Sequence, residues 1–283
     1  MPGMQSSEDL PSTRRRDGIR FFVTVAGLTV IALVSVLAAL VTAQEGNVSA
    51  ARYCLLFAFI MALTIAYPTV VRYRRKDLAA AVRTVEHEGF QATQIRQSIW
   101  PFALLVAIMA SWTAFFGMAA VDFLADQDDE STGAAVVMGA LSAFFGSFPV
   151  AAATGRLRRG GVTLSGQGIA QRGWSFESKL DWSAIFAAPL TSLEGTRFPT
   201  ILVGGSANAN WIRRYTTRLW RIDRLPQVPV LQLDCNKFDV DPHVLNNYIR
   251  TYVDNPKIRH ELGTEAALVR AREMQSAVTQ LGR

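Results

Sequence analysis

The sequence predicts an α+β chain: four membrane-spanning helices, then a small β-rich domain closed by a helix. Three observations carry this reading. The charged residues, 29 Lys and Arg against 23 Asp and Glu for a net of +6, avoid four windows altogether: residues 21–44, 53–71, 97–121 and 131–155. Outside those windows charge rises to about 27 %, an ordinary level for soluble protein. The basic residues alternate between the flanks of the windows. Beyond residue 160 the apolar pattern changes from long runs to short alternating ones broken by glycine. A wholly water-soluble domain and a disordered chain are both excluded.

At about 1.5 Å per helical residue, the shortest window reaches roughly 28 Å and the longest roughly 37 Å, against a hydrocarbon core of about 30 Å. Spans are expected at about 21–43, 53–71, 97–121 and 131–154. The first also has the look of a secretory signal ending at Val41-Thr42-Ala43, but its apolar run exceeds the usual 7–15 residues of a signal core, so a retained span is expected. No ionisable side chain lies within any window, which argues against proton coupling. The third and fourth windows repeat a string, Ala114-Phe115-Phe116-Gly117 and Ala143-Phe144-Phe145-Gly146. Small residues there could let helices approach closely, or the repeat could be coincidence in an apolar alphabet.

The flanks set the orientation. Arg14, Arg15, Arg16 and Arg20 precede the first span, and only Arg52 lies between the first and second. Arg72, Arg74, Arg75, Lys76, Arg83 and Arg96 lie between the second and third. The connection 122–130 has no basic residue, and Arg156, Arg158 and Arg159 follow the fourth. This alternation predicts a plasma-membrane protein with both termini in the cytoplasm, its basic segments against the anionic inner leaflet. Residues 1–20 read as a basic cytoplasmic tail. In the connection 72–96, Asp77 is expected to open a helix running to Glu86. The acidic connection 122–130 lacks the Gly and distal Glu of a calcium loop and reads as a solvated outer turn.

In the tail, Val162 to Leu164, Gly168 to Arg172, Lys179 to Phe186, Phe198 to Val203 and Val230 to Leu233 read as five strands. Asp241 and Pro242 open a helix as N-cap and first residue, with Val244, Leu245, Tyr248, Ile249 and Tyr252 on one apolar face and Asn255-Pro256 as its stop. A last helix, about 265–280, is largely polar and is expected outside the core. Trp174 and Trp182 read as core or cross-strand packing residues.

Residues 211–225 look different. Wound at about 100° per residue, Trp211, Ile212, Tyr215, Leu219 and Ile222 gather on one side, Arg213, Arg214, Arg218, Arg221 and Arg224 on the other, and Trp220 falls at the border. This predicts a basic amphipathic helix capped by Asn208 and stopped by Pro226. It would lie in a membrane interface or pack on its own domain with a solvated arginine face. The aromatic-basic stripe would also suit nucleic acid, but four spans holding it at the bilayer exclude that partner.

No catalytic, cofactor or metal constellation emerges. His87, His243 and His260 lack ligand spacing; Cys54 and Cys235 stand far apart and form no C-x-x-C pair; Gly-x-Ser-x-Gly is absent. Gly204-Gly205-Ser206 and Arg159-Gly160-Gly161 are not phosphate loops.

Val162-Thr163-Leu164, Gly168-Ile169, Leu180-Asp181-Trp182-Ser183-Ala184-Ile185, the closing helix with Asn255-Pro256, and Arg259-His260-Glu261-Leu262-Gly263 together give residues 156–263 a likeness to a known group. They resemble the pleckstrin-homology-like (PH-like) domains of bacterial integral membrane proteins. The resemblance implies a β-sandwich or barrel closed by a helix. It carries no catalytic residues, and five strands fall short of that fold's seven. The expected organisation is therefore a tail at 1–20, spans within 21–155, a cytoplasmic PH-like domain at 156–263 and a polar helical tail at 264–283. The expected role is a non-enzymatic scaffold binding a lipid surface or a protein. The alternatives are an accessory subunit of a larger membrane complex and a transporter or channel component. The expected partners are the anionic inner leaflet and other membrane proteins. The expected contact surface is Trp211, Arg213, Arg214, Tyr215, Arg218, Trp220, Arg221 and Arg224.

Overall fold

The computed structural model of the protein describes residues 10–74, 76–125, 129–192, 199–225 and 228–281. It is α+β. Four long helices, α1 (Leu10–Gln44), α2 (Val48–Tyr73), α4 (Ile99–Ala125) and α5 (Asp129–Ala153), precede most of the sheet. Within them Gly18–Gln44, Val48–Tyr73, Ile99–Ala125 and Ser131–Ala153 are each long and apolar enough to cross a membrane, as in a multi-pass membrane protein. The side chains of Arg14, Arg15 and Arg16, and residues 126–128 of the acidic connection, lie outside the described residues.

The chain divides into two compact units: residues 1–69 with 107–146, and residues 70–106 with 147–283. In the helical unit the repeated strings face each other. A Cβ on Gly117 would stand 3.1 Å from the Ser142 hydroxyl, and one on Gly146 would stand 3.1 Å from the Thr113 methyl, so each glycine admits a neighbour from the other helix. Ser142 donates to the Thr113 carbonyl at 3.0 Å. Phe116 stacks on Phe145 with centroids 5.5 Å apart, and Trp112 stacks on Phe116 at the same distance. Small residues with stacked rings beside them give the close, well-packed approach that holds helices together where no hydrophobic driving force separates protein from lipid. Near one end of this unit Arg52 and Tyr53 converge on Asp122, the tyrosine hydroxyl donating at 2.6 Å.

The sheet unit corrects the reading of connection 72–96. Asp77 does cap a helix, accepting from the amides of Ala79 at 3.0 Å and Ala80 at 3.4 Å. That helix, α3, spans only Leu78–Ala81. Then β1 (Val82–His87) and β2 (Phe90–Arg96) form a hairpin. β-Branched Val82, Thr84 and Val85 favour the strand. Glu88 (φ 53°) and Gly89 (φ 81°) supply the two left-handed residues that a tight two-residue hairpin loop needs. The connection is therefore part of the sheet domain.

Among the described residues eight further strands follow residue 160, where the sequence predicts five: β3 (Gly161–Ser165), β4 (Gly168–Arg172), β5 (Phe176–Asp181), β6 (Ile185–Ala187), β7 (Leu190–Ser192), β8 (Pro199–Gly205), β9 (Trp211–Tyr215) and β10 (Val230–Asp234). One antiparallel sheet has the order β1-β2-β3-β4-β5-β9, and a second joins β10 and β6 to β8, with β7 also on β8. Ile95, Val162, Leu164, Ile169 and Leu180 from the first sheet meet Ile201, Val203, Leu231 and Leu233 from the second, all fully buried. Trp182 lies in the same core and donates to the Ser165 carbonyl at 2.6 Å.

α6 (Pro242–Asp254) closes this core as the sequence predicts. Asp241 caps it by accepting from the His243 amide at 2.9 Å, and Val244, Leu245, Tyr248, Ile249 and Tyr252 are buried. α7 (Glu265–Leu281) differs from expectation: it is docked. Ala267 and Ala271 lie one turn apart with no exposed surface, and their small side chains allow close approach. The Tyr248 hydroxyl donates to the Ala267 carbonyl at 3.0 Å, and the Leu78 amide donates to the Gln275 side chain at 3.0 Å.

Leu245→Ala combined with Ile249→Ala removes two fully buried side chains, each worth about 2–5 kcal/mol. A domain has only about 5–15 kcal/mol of stability. Thermal unfolding of the full-length protein in detergent, followed by tryptophan fluorescence, is expected to show the sheet domain unfolded or its midpoint sharply lowered. An unchanged midpoint would mean that α6 is not docked.

Candidate functional site: a basic sheet face and a basic aromatic loop

Residues 211–225 are not a helix. Trp211–Tyr215 is strand β9, paired with β5 from Phe176↔Tyr215 to Leu180↔Trp211, and residues 216–225 run on without regular structure. The helical pattern is real in the sequence but is outcompeted by ladder bonds to β5 and by side-chain ties that a helix would forbid. Trp211 Nε1 donates to Ser178 Oγ at 2.8 Å, and the Leu225 amide donates to the Tyr215 hydroxyl at 3.2 Å. Asp223, buried, accepts from the Trp174 amide at 2.6 Å and pairs with Lys237.

The expected surface residues consequently divide. Arg213 stacks over the Trp211 ring at 4.8 Å, and Arg221 over the Tyr215 ring at 4.9 Å. Arg218, Arg221 and Arg224 are exposed on the irregular run, together with Leu219 (60 % exposed) and Ile222 (38 %). Trp220 points the other way. Its Nε1 donates to Ser147 Oγ of α5 at 2.9 Å, and its ring meets Phe148 edge-on at 5.1 Å. Thr216 donates to the Arg156 carbonyl at 2.7 Å, closing the loop onto the chain leaving α5.

Arg214 joins a different group. Antiparallel register places residues directly opposite one another on one face. Arg96 faces Gly161, Gly161 faces Arg172, Arg172 faces Glu177 and Glu177 faces Arg214. The next row on the same face runs Arg83, Gln94, Thr163, Ala170, Lys179 and Ile212. Lys179 reaches Glu88 at the hairpin turn, 2.6 Å away, so the sheet curls until β5 meets the end of β1. That curl buries even the outward-facing Thr163 and Ser165 of the central strand.

The result is a concavity of about 690 Å³. Its described lining holds Arg83, Arg96, Arg158, Arg159, Arg172, Arg214 and Lys179 against two carboxylates, Glu88 and Glu177. Glu177 is shared: it pairs with Arg172 and receives Arg214 Nε at 2.7 Å. The remaining cations repel one another. Burial first, then Arg96, lowers the pKa of Arg83; burial first, then Arg96, does the same to Arg159. Burial, Arg158 and Arg214 lower that of Arg172, whose shielded Nε has no hydrogen-bond partner among the described residues. Sequence reasoning missed this cluster because its members come from four separated segments. Only the strand register, set by the Glu88-Gly89 turn and the Gly160-Gly161 crossing, assembles them.

Comparison with known proteins returned nothing: no family model, no curated protein and no solved structure matches this chain.

Trp220→Ala removes an edge-on ring pair worth about 0.5–1.5 kcal/mol and a hydrogen bond worth about the same. Local opening of residues 216–225 should become easier by about 1–3 kcal/mol. Tryptic cleavage after Arg218, Arg221 or Arg224 in the folded protein should accelerate roughly 5- to 150-fold, because cleavage follows the open population when closing is fast. An unchanged rate would show that the contact with α5 does not hold the loop.

Proposed function

We propose that this chain is a multi-pass protein of a bacterial plasma membrane whose sheet domain is a PH-like module. It lies on the cytoplasmic side and acts as a scaffold at the anionic lipid surface, with a binding rather than a catalytic role. Two antiparallel sheets closed by α6 support the PH-like reading. One domain takes up the chain from the end of α2, the start of α4 and the end of α5, so those three helix ends belong on one side of the membrane. The connection of residues 45–47 is short enough to return α1 from that same side. The flanks on this side carry the basic residues, which favours the cytoplasm.

The observation that carries the lipid-surface role is the seat of Trp220. Ser147 lies six residues before the end of α5, about 9 Å along the helix axis. The loop therefore lies beside the last turns of a candidate span. Its exposed Leu219 and Ile222 and its three exposed arginines stand at the depth where apolar groups, Trp and Arg divide between acyl chains and headgroups.

A spin label tests this in proteoliposomes containing anionic lipid. Only Cys54 needs replacing, since Cys235 is 3 % exposed and burial pushes its thiol up to about 12, out of reach of labelling near neutral pH. A label on Leu219→Cys is expected to collide with oxygen more than with a water-soluble nickel chelate, while one on Asn247→Cys, on the exposed face of α6, shows the reverse. Equal chelate access at both positions would refute the lipid-surface role.

A further inference from the structure

We infer that the concave outer face of the six-stranded sheet is a binding site for a phosphate-bearing polyanion, with Arg83, Arg96, Arg158, Arg159, Arg172 and Arg214 as its donors. The inference deepens the lipid-surface reading and rests on it for the ligand's source.

Charge is the first argument. Among the described lining residues seven cations face two carboxylates, and both carboxylates are engaged at the rim or between two arginines. Guanidinium groups crowded around one recess are held together by the strand register despite their repulsion, and a ligand with two or more negative charges relieves it. Arginine suits phosphate better than other anions, because its planar fork presents paired N–H donors at the spacing of two phosphate oxygens.

Shape is the second argument. The floor is small: Gly160, Thr163 and Ala170, with long basic side chains around it. The volume lies within the usual range for a small-molecule site. The Glu88–Lys179 ion pair walls one side, so the recess is bounded rather than a flat basic patch.

Position is the third argument. Arg96 precedes α4 by three residues, and Arg158 and Arg159 follow α5 by five and six. Fully extended chain covers at most about 3.3–3.6 Å per residue, so Arg96 stands within about 10 Å of its helix end and the other two within about 20 Å. Lipid headgroups lie at this height, which favours a lipid phosphate over a free one.

The test uses the full-length protein in neutral detergent micelles. Phosphatidic acid in the micelle is one probe, and inorganic pyrophosphate in solution is the other; binding is read by calorimetry and by the shift in melting temperature. Phosphatidic acid is expected to bind, with affinity falling as salt rises. Arg83→Gln with Arg96→Gln, both off the apolar core, should weaken binding at least tenfold and leave the ligand-free melting temperature unchanged. Arg250→Gln with Arg272→Gln, exposed on α6 and α7 and outside both the recess and the loop, should bind phosphatidic acid as the parent does. Binding of pyrophosphate but not of phosphatidic acid, with the same dependence on Arg83 and Arg96, supports the site and assigns it a soluble phosphate compound. Such binding would survive even if the label at 219 reported water, so the site and its leaflet placement can fail separately. Binding of neither probe, or binding indifferent to Arg83 and Arg96, would overturn the site.

Discussion

The pairing of β2 with β3 is the constraint on which the rest of the sheet unit depends. It aligns Ala92–Arg96, just before α4, with Gly161–Ser165, just after α5. Every residue of β3 is buried, and its partners on either side are β2 and β4. A tail cut free at residue 156 would leave β3 with an open edge and its buried ladder groups without partners. The domain is therefore continuous in space and discontinuous in sequence. It ties together the end of α2, the start of α4 and the end of α5. Two glycines permit the crossing: a Cβ on Gly160 would collide with the Arg172 carbonyl at 2.5 Å, and one on Gly161 with the Ile95 carbonyl at 2.8 Å.

The charge pattern follows from that pairing. Arg83 and Arg96 belong to the connection between spans, Arg158 and Arg159 to the exit from α5, Arg172 to β4 and Arg214 to β9. None is a neighbour of all the others in sequence, yet register places them around one recess. On the opposite face the same strands send Ile95, Val162, Leu164, Ile169 and Leu180 inward, so a one-residue slip would exchange core and basic face together. The apolar core therefore fixes the arginines. Repulsion among them is tolerated because the core, α6 and α7 outweigh it.

Some of this was legible in the sequence, and the reasons differ by element. The charge-free windows exposed the long helices, because length and apolarity act locally. α6 was legible because its cap, first-turn proline and apolar stripe agree with its tertiary role. The β1–β2 hairpin was not, because the alanines after Asp77 favour helix locally, and the partner that continues the sheet beyond β2 is β3, which lies beyond two long helices in the sequence. Residues 211–225 misled for a related reason. Their apolar and basic residues fit a helical period, but 211–215 pair with the edge of β5, and Thr216, Trp220 and Asp223 tie the run that follows to Arg156, Ser147, Phe148 and Trp174. α7 looked peripheral because its buried face is alanine, which carries little hydrophobic signal while permitting close packing. The site residues read from that segment accordingly split between loop and sheet face, and the remaining cations of the recess could be found only from the register.

A disulfide across the central pairing tests this account most directly. Gln94 and Thr163 are opposite each other on β2 and β3, a separation that a disulfide spans without backbone movement. With Cys54 replaced, Gln94→Cys and Thr163→Cys are introduced together with a protease site in the connection between α4 and α5. After mild oxidation and cleavage, the two fragments are predicted to migrate together and to separate on reduction, whereas pairing Gln94→Cys with Ala170→Cys, one strand further away, gives separate fragments in both conditions. Fragments that separate without reduction in the 94–163 variant would show that the connection between spans and the tail do not share one sheet.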